Sequence, residues 1–347
     1  MFTLSIDQKN KLVIIWLISI VILLFCMVII GGVTRLTHSG LSMVEWHPIT
    51  GWLPPLTETA WQETFSKYKL YPEYKKLNFG MTLDEFKEIF WFEFIHRVWG
   101  RIIGLVFFLP FVMFWWFDFI KRNTAIHLII LLVLGGSQAI LGWFMVKSGM
   151  VDRPDVSQYR LASHLCVAFF IFGYLLWLVH KLLIINCNAV TNHLCICSRV
   201  VTVTIFITVF SGALVAGLDA GLVYNTFPLM DGDLIPAGWL SMTPKYLNFF
   251  ENIITVQFDH RVLAILTLFL VFLFWATSIR TNLSWAQRIS VNILFCISIF
   301  QVILGISTLI YGVPVFLAAL HQGSALVLFG VSVWVSASFH RPLAVSN

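Results

Sequence analysis

The hydropathy pattern consists of eight long apolar runs separated by polar connections. A membrane-spanning helix needs about 20 predominantly apolar residues. Eight runs come close to that length or exceed it: 12–32, 91–117, 124–146, 161–180, 200–218, 253–279, 289–312 and 314–336. The pattern therefore predicts an all-α polytopic membrane protein with eight transmembrane helices.

The connections between the runs differ in length. Those at 34–88 and 219–252 are long, and the remaining ones are shorter. Within the first long connection, the stretches 56–68 and 82–90 have an amphipathic pattern. Such helices commonly lie in the plane of a membrane interface, and we expect these two to do so.

The two halves of the chain repeat the same short motifs in the same order. The corresponding pairs are Gly32 with Gly212, Gly40-Leu41 with Gly221-Leu222, Pro48 with Pro228, His96-Arg97-Val98 with His260-Arg261-Val262, Gln138–Gly142 with Gln301–Gly305, and Ala162-Ser163-His164 with Ala319-Leu320-His321. The histidine-to-glutamine spacing is 42 residues in one half (96 to 138) and 41 in the other (260 to 301). Each half has four spans, so the repeat is parallel. We expect two pseudo-symmetric four-helix bundles, 1–185 and 199–347.

Composition supports the membrane assignment and suggests an orientation. Hydrophobic residues make up 59% of the chain and charged residues 11%, about half the charged fraction of a soluble domain. The short connections 118–123, 181–199 and 280–288 each carry two Lys or Arg, while 311–313 carries none. The positive-inside rule then places both termini in the cytoplasm. The net charge of +5 is spread over span ends, which does not favour a nucleic-acid partner.

The six cysteines do not predict a disulfide framework, because no long connection carries a pair. One short loop clusters Cys187, His193, Cys195 and Cys197. Its spacing matches no tetrahedral zinc pattern, which does not favour a metal site there.

Four histidines occupy matched positions in the repeat. His96 and His260 open the second and sixth spans, and His164 and His321 lie early in the fourth and eighth. Facing helices of a bundle bring such ligands together, and two opposed imidazoles suit bis-histidine haem ligation. A histidine in a membrane more often bonds a neighbouring helix. Zinc is the competing metal, but each site lacks its usual third and fourth ligands.

Arginines and one carboxylate accompany these histidines. Arg97 and Arg261 follow the first histidine of each half and suit the propionates of a porphyrin. Three residues before that histidine the halves differ, with Glu93 in the first and Gln257 in the second. Glu93 shares a helix face with Arg97, so an ion pair is one interpretation. The other is a general base or cation stabiliser beside a reacting haem, in the first half only.

At this point the residues resemble the heme A synthase family over essentially the whole chain. The motifs that carry the resemblance are Gly31–Thr37, Ser39–Ser42, Glu45-Trp46-His47-Pro48, Gly51–Pro55, Glu93–Arg97, Phe258–Arg261 and His321-Gln322-Gly323. The first outer connection lacks the cysteine pair that some members carry. This chain therefore looks like the proteobacterial and mitochondrial type.

The resemblance implies an oxidoreductase of CH groups that converts the C8 methyl of heme O, by successive hydroxylations, to the formyl group of heme A. By matching motifs, His260 and His321 correspond to the axial ligands of a heme b cofactor, with Arg261 beside them. His96 and His164, with Arg97, correspond to the binding site of the substrate haem, and Glu93 to the catalytic carboxylate.

The resemblance also implies a cellular setting. A bacterial inner membrane is expected, because the N-terminus has no transit-peptide composition. Handing over an insoluble substrate favours docking with a heme O synthase, and cytochrome oxidase assembly factors are further expected partners. The electron donor or acceptor and any homo-oligomer stay open.

Two rival functions share the histidine pattern. A diheme cytochrome b-like electron carrier would use the same ligands but gives no reason for Glu93 in one half alone. A haem transporter or chaperone should exchange its haem in both halves.

Overall fold

The computed structural model describes residues 6–46, 50–150, 155–183, 185 and 187–339. Within these ranges the regular structure is helical apart from one isolated bridge between Met230 and Asp233. In chain order the helices are α1 (Ile6–Leu36), α2 (Glu58–Tyr68), α3 (Pro72–Lys76), α4 (Leu83–Trp116), α5 (Arg122–Gly149), α6 (Gln158–Leu182), α7 (Asn192–Gly217), α8 (Asn248–Glu251), α9 (Ile253–Ser278), α10 (Trp285–Ile310) and α11 (Val315–Ser338).

Eight of the described helices are long and apolar enough to cross a membrane: α1, α4, α5, α6, α7, α9, α10 and α11. The predicted all-α membrane protein with eight spans is confirmed. Six of the eight predicted runs agree with a helix to within about six residues at each end. The exceptions are the second and fifth runs, whose helices α4 and α7 begin at Leu83 and Asn192, earlier than predicted.

Helix α4 starts at Leu83, eight residues before the predicted span. Thr82 and Glu85 form a capping box, in which Glu85 N donates to Thr82 Oγ1 (3.3 Å) and Thr82 N donates to Glu85 Oε2 (2.7 Å). Such a box satisfies the free N–H groups at a helix start. At 34 residues the helix is about 50 Å long, against about 30 Å of hydrocarbon. Its first turns therefore project beyond the membrane core, whereas we had expected 82–90 to lie along the surface.

The projecting turns of α4 are covered by α2. Phe65 and Tyr68 of α2 lie with ring centroids 4.9 and 5.1 Å from Phe86 of α4, and Trp61 lies 4.9 Å from Phe90. Aromatic pairs at such distances contribute packing beyond their buried area. The apolar face of α2, which was expected to meet the membrane surface, is packed against α4 instead.

A buried carboxyl group lies in the layer formed by α2, α3 and the first turns of α4, which we call the outer layer. Glu73 of α3 is only 3% exposed, and its Oε2 accepts a hydrogen bond from the Tyr68 hydroxyl (3.0 Å), which in turn accepts one from Asn78 Nδ2 (2.8 Å). Burial raises the pKa of Glu73 from 4.5 to about 7, and the negative charge of Glu93 adds to the rise. Burial also raises the pKa of Tyr68.

Glu73 should make the outer layer less stable as pH rises. Between about pH 4.5 and 7 the folded protein holds the proton that the unfolded chain releases, so stability falls with pH and stays low above 7. The shift corresponds to about 3 kcal/mol. Glu73→Gln is neutral at every pH, so it should slow amide hydrogen exchange of residues 68–78 at pH 8 and have little effect at pH 4.5. Mass spectrometry of exchange measures this. Glu63→Gln, at an exposed carboxylate paired with Lys67, is the control, and an equal gain at both pH values would contradict the assignment.

The chain forms two compact units. One is Ile22–Ala168, and the other takes the described residues of Met1–Val21 and Phe169–Asn347. In the second unit α7, α9, α10 and α11 pack on one another. Gln287 near the start of α10 ties this end together by donating to the carbonyls of Asn188 and Ser338. The predicted halves 1–185 and 199–347, and their pseudo-symmetry, stay predictions.

Candidate functional site

Each unit brings together the two histidines that the repeat predicts. In the first unit, His96 of α4 and His164 of α6 lie close enough to interact electrostatically. In the second, His260 of α9 and His321 of α11 do the same. All four side chains are half-buried. In the second unit α9 and α11 each pack on α7 and α10, so His260 and His321 lie on opposite helices of the bundle, which is the arrangement that haem ligation requires.

Each of the four imidazoles lies against a glycine of another helix. A Cβ built on that glycine would lie within 3.3 Å of the ring: Gly31 from His96 Nε2 (3.1 Å), Gly142 from His164 Cε1 (3.3 Å), Gly212 from His260 Cε1 (3.0 Å) and Gly305 from His321 Cε1 (2.9 Å). Side chains at these positions would push the rings aside. The lack of a side chain at each glycine therefore leaves room for the imidazole ring.

The structure changes one correspondence of the repeat. Sequence comparison paired Gly32 with Gly212, but Gly31 is the glycine that faces His96 as Gly212 faces His260. Two adjacent glycines gave no means of choosing between them. The pair Gly142 and Gly305, predicted from the glutamine motif, is found as expected.

A glycine pair on α5 allows the role of the close contact to be tested. Gly142 faces His164, whereas a Cβ at Gly135 meets nothing within 4 Å. We expect Gly142→Leu to displace the His164 ring and lower the haem content of the first unit several-fold, since overpacking costs about 1–3 kcal/mol. Gly135→Leu should leave it unchanged. Haem content per protein, measured after purification, decides this, and equal losses in both variants would refute the contact's role.

Glu93 is a buried carboxylate with hydrogen-bond partners on both oxygens. It is 2% exposed. Its Oε2 accepts from Ser42 Oγ and from Met43 N, both at 2.7 Å, and its Oε1 pairs with Arg97 at 2.5 Å. The predicted ion pair with Arg97 is therefore present. The carboxylate thus also bonds to the loop that follows α1.

Arg97 and Arg261 each donate hydrogen bonds to two carbonyls of a loop, and we call these two arrangements the arginine clamps. Arg97 donates to the carbonyls of Met43 (2.8 Å) and Glu45 (2.9 Å). Arg261 donates to those of Tyr224 (2.7 Å) and Thr226 (2.8 Å). In both halves the two carbonyls are two residues apart, and the first is three residues after the repeated glycine of the Gly-Leu pair. These clamps were missed by the sequence comparison, although their register is visible in it once the contacts are known.

Arg261 retains one donor for another group. Its Nε is buried and, in the part of the chain that the structure describes, has no hydrogen-bond partner. A buried donor of this kind is costly unless it is satisfied. The propionate-binding roles of Arg97 and Arg261 stay predictions.

Gln257 takes the place of Glu93 in the second unit but bonds differently. Its Nε2 donates to the Tyr224 carbonyl (3.0 Å), whereas Glu93 accepts from the amide of Met43, the corresponding loop residue. The Gln257 amide thus donates to its loop, whereas the Glu93 carboxylate accepts from the corresponding loop. Only the first unit has an anionic group at this position.

The donor sets fit haem better than a fully protein-ligated metal. Within 6–46, 50–150, 155–183, 185 and 187–339, no group of three or more His, Cys, Asp or Glu side chains lies close enough to hold a metal ion. The short Cys/His loop is included, where Cys197 Sγ lies 3.7 Å from both ring nitrogens of His193. Two imidazoles per unit match the axial ligands of a haem, whose porphyrin supplies the other four. His47 and Pro48 of the outer-loop motif lie outside the described residues.

Comparison with known proteins points in one direction. The family model described as Cytochrome oxidase assembly protein, COX15-CtaA, matches residues 14–333. The curated Heme A synthase of Nitrosospira multiformis is 47% identical over 342 residues, covering 96% of each chain. That of Parvibaculum lavamentivorans is 47% identical over 328 residues, covering 94% of each. That of Agrobacterium fabrum is 45% identical over 329 residues, covering 94% of this chain and 90% of the relative.

Proposed function

The chain belongs to the cytochrome oxidase assembly family, COX15-CtaA, and we propose that it is a heme A synthase that oxidises the C8 methyl group of heme O to the formyl group of heme A. The observation that carries the proposal is similarity to curated Heme A synthases along nearly the whole chain. The paired imidazoles in both units support it, because they supply the ligands that such a reaction needs.

We assign the substrate haem to the first unit and a heme b cofactor to the second. His96 and His164 would hold the substrate haem, and His260 and His321 would hold heme b. Arg97 and Arg261 lie one residue after a ligand in each unit. Arg261, with its buried unpartnered Nε, suits a porphyrin propionate. When bound, heme b supplies the one-electron chemistry that side chains cannot.

Glu93 is proposed as the catalytic carboxylate. Each oxidation of the methyl carbon removes two electrons and breaks a C–H bond, so a proton must be accepted and positive charge stabilised near C8. Glu93 is the anionic side chain at the matched position of the first unit, three residues from His96. Ser42 and Met43 donate to Oε2 and Arg97 donates to Oε1. A carboxylate has about four acceptor sites, so Oε1 is the oxygen that can still accept a proton.

Extraction and chromatography of the haems that co-purify with the protein tests the activity. Cells that supply heme O should yield heme A or hydroxylated heme O bound to the wild type. A protein that carries heme b alone, with heme O present in the same membranes, would overturn the proposal. The diheme electron carrier is the function that this outcome would support, and nothing in the comparisons favours it at present.

The setting of the protein is proposed from its charge pattern and its chemistry. We place it in a bacterial inner membrane with both termini in the cytoplasm, because basic residues concentrate in the connections assigned to that side. A heme O synthase that delivers the insoluble substrate is the expected partner, together with cytochrome oxidase assembly factors.

A further inference from the structure

Polar side chains hold both imidazoles of the second unit. Ser211 Oγ lies 2.8 Å from Nδ1 of His260 and donates its own proton to the Thr208 carbonyl (2.8 Å). Ser211 can thus accept a hydrogen bond from a protonated Nδ1. An imidazole that binds iron through Nε2 carries its proton on Nδ1, and an acceptor there fixes the tautomer and ring orientation.

His321 is held by a chain of two side chains. Gln301 Nε2 lies 3.2 Å from Nδ1 and 3.4 Å from Nε2 of His321 and donates to the His321 carbonyl (3.1 Å). The hydroxyl of Ser324 bonds to the other end of the amide, at Gln301 Oε1. Both contacts set the orientation of the amide, because the His321 carbonyl can accept only from Nε2 and the Ser324 hydroxyl donates to Oε1. The His321 ring therefore has a polar partner that is itself held in place.

The positions of the first unit that correspond to Ser211 and Ser324 are apolar. Ile30 precedes Gly31 as Ser211 precedes Gly212, and Val167 follows His164 by three residues as Ser324 follows His321. Gln138 still donates to the His164 carbonyl (3.2 Å). Across the described ranges, however, Nδ1 of His164 and Oε1 of Gln138 are buried without a hydrogen-bond partner.

We propose that Ser211, Gln301 and Ser324 are positioning residues that retain a permanent haem in the second unit, and that Ile30 and Val167 leave the haem of the first unit exchangeable. The inference rests on the proposed function, in which one haem is substrate and must leave as product. Loss of the partner of a ligating histidine lowers metal affinity about 10- to 100-fold. Both units thus use a pair of histidines, and the residues that contact those histidines decide whether the haem is retained or exchanged.

The matched exchange Ser324→Val and Val167→Ser tests the proposal on the full-length protein in detergent. The measured quantity is the rate at which each purified variant loses haem to apomyoglobin, with the haems identified by chromatography. Ser324→Val and Ser211→Ala should release heme b about 10- to 100-fold faster than the wild type and shift its midpoint potential. Val167→Ser should slow the release of heme O and heme A, and Ser211→Thr should restore slow release of heme b.

Two controls separate positioning from general stability. Ser332→Ala removes a hydroxyl from the same helix as Ser324, and Ser198→Ala one from the same helix as Ser211; each of these hydroxyls bonds a backbone carbonyl of its own helix. Unchanged release rate and potential in Ser324→Val and Ser211→Ala would overturn the proposal, as would equal effects in the controls. Failure of the proposed function shows separately, as a wild type that carries heme b and neither heme O nor heme A.

Discussion

Glu93→Gln should reduce heme A formation by at least about 100-fold, the usual contribution of a positioned acid or base, while the haem of the second unit keeps its spectrum. Glutamine has nearly the same size but cannot accept a proton or stabilise a cation as a carboxylate does. Its amide N–H₂ must also face either Ser42 and Met43 or Arg97, all of which donate to Glu93. The measurement is heme A per protein by chromatography, beside the optical spectrum of the reduced protein.

Ser42→Ala separates the chemical role of Glu93 from its structural one. The variant removes one of the donors to Oε2 but leaves the carboxylate, its contact with Met43 N and its pair with Arg97. If Glu93 serves only to hold the outer loop, Ser42→Ala should weaken the same loop and reduce heme A by a comparable factor. A reduction of only a few-fold, against the large loss in Glu93→Gln, is the expected result. Full turnover in Glu93→Gln would refute the assignment.

His321→Ala should remove heme b from the second unit and bring heme A formation to background. The variant deletes one of the two ligands proposed for heme b and leaves Gln301, which Ser324 bonds, without its contact to the ring. His164→Ala should have the complementary effect, with loss of the substrate haem and retention of heme b. Haem content and the low-spin spectrum of each purified variant measure the two sites independently.

His193→Ala is the control for these substitutions, because His193 is exposed on α7 and lies outside both histidine pairs. It should leave both haems in place. If His321→Ala kept a full complement of heme b while His164→Ala lost it, heme b would have to be assigned to the first unit and the substrate haem to the second. If neither variant lost haem, the ligand assignment would be wrong.

The repeat made the four histidines predictable from sequence, because a charged or ring-nitrogen group is conspicuous in an apolar helix and its recurrence at matched spacing is harder to explain as chance. The partners of those histidines were not predictable. Ser211 and Ser324 are ordinary small residues of membrane helices, and their significance appears only when a ring nitrogen lies 2.8 Å from one and an amide contacts the other. The apolar residues opposite them, Ile30 and Val167, look unremarkable for the same reason.

Long-range packing accounts for the remaining differences. The Thr82–Glu85 capping box is present in the sequence and marks the true start of α4. The hydropathy pattern instead predicts a start at Trp91, where the apolar run begins. Amphipathicity of α2 was recognised and its partner was not, because a membrane surface and the aromatic face of α4 attract the same side chains. The arginine clamps depend on loop carbonyls, which every residue possesses and no sequence pattern identifies.

The arginine clamps have a thermodynamic consequence. Arg97 follows His96 directly on α4 and holds the carbonyls of Met43 and Glu45, so a displacement of this turn of the helix is shared by the ligand and the outer loop. If haem binding orders that turn, ordering of the loop must strengthen haem binding by the same free energy, because coupling between two sites is reciprocal. An antibody or partner protein that fixes residues 40–46 would then act as an effector of haem affinity, without touching the haem.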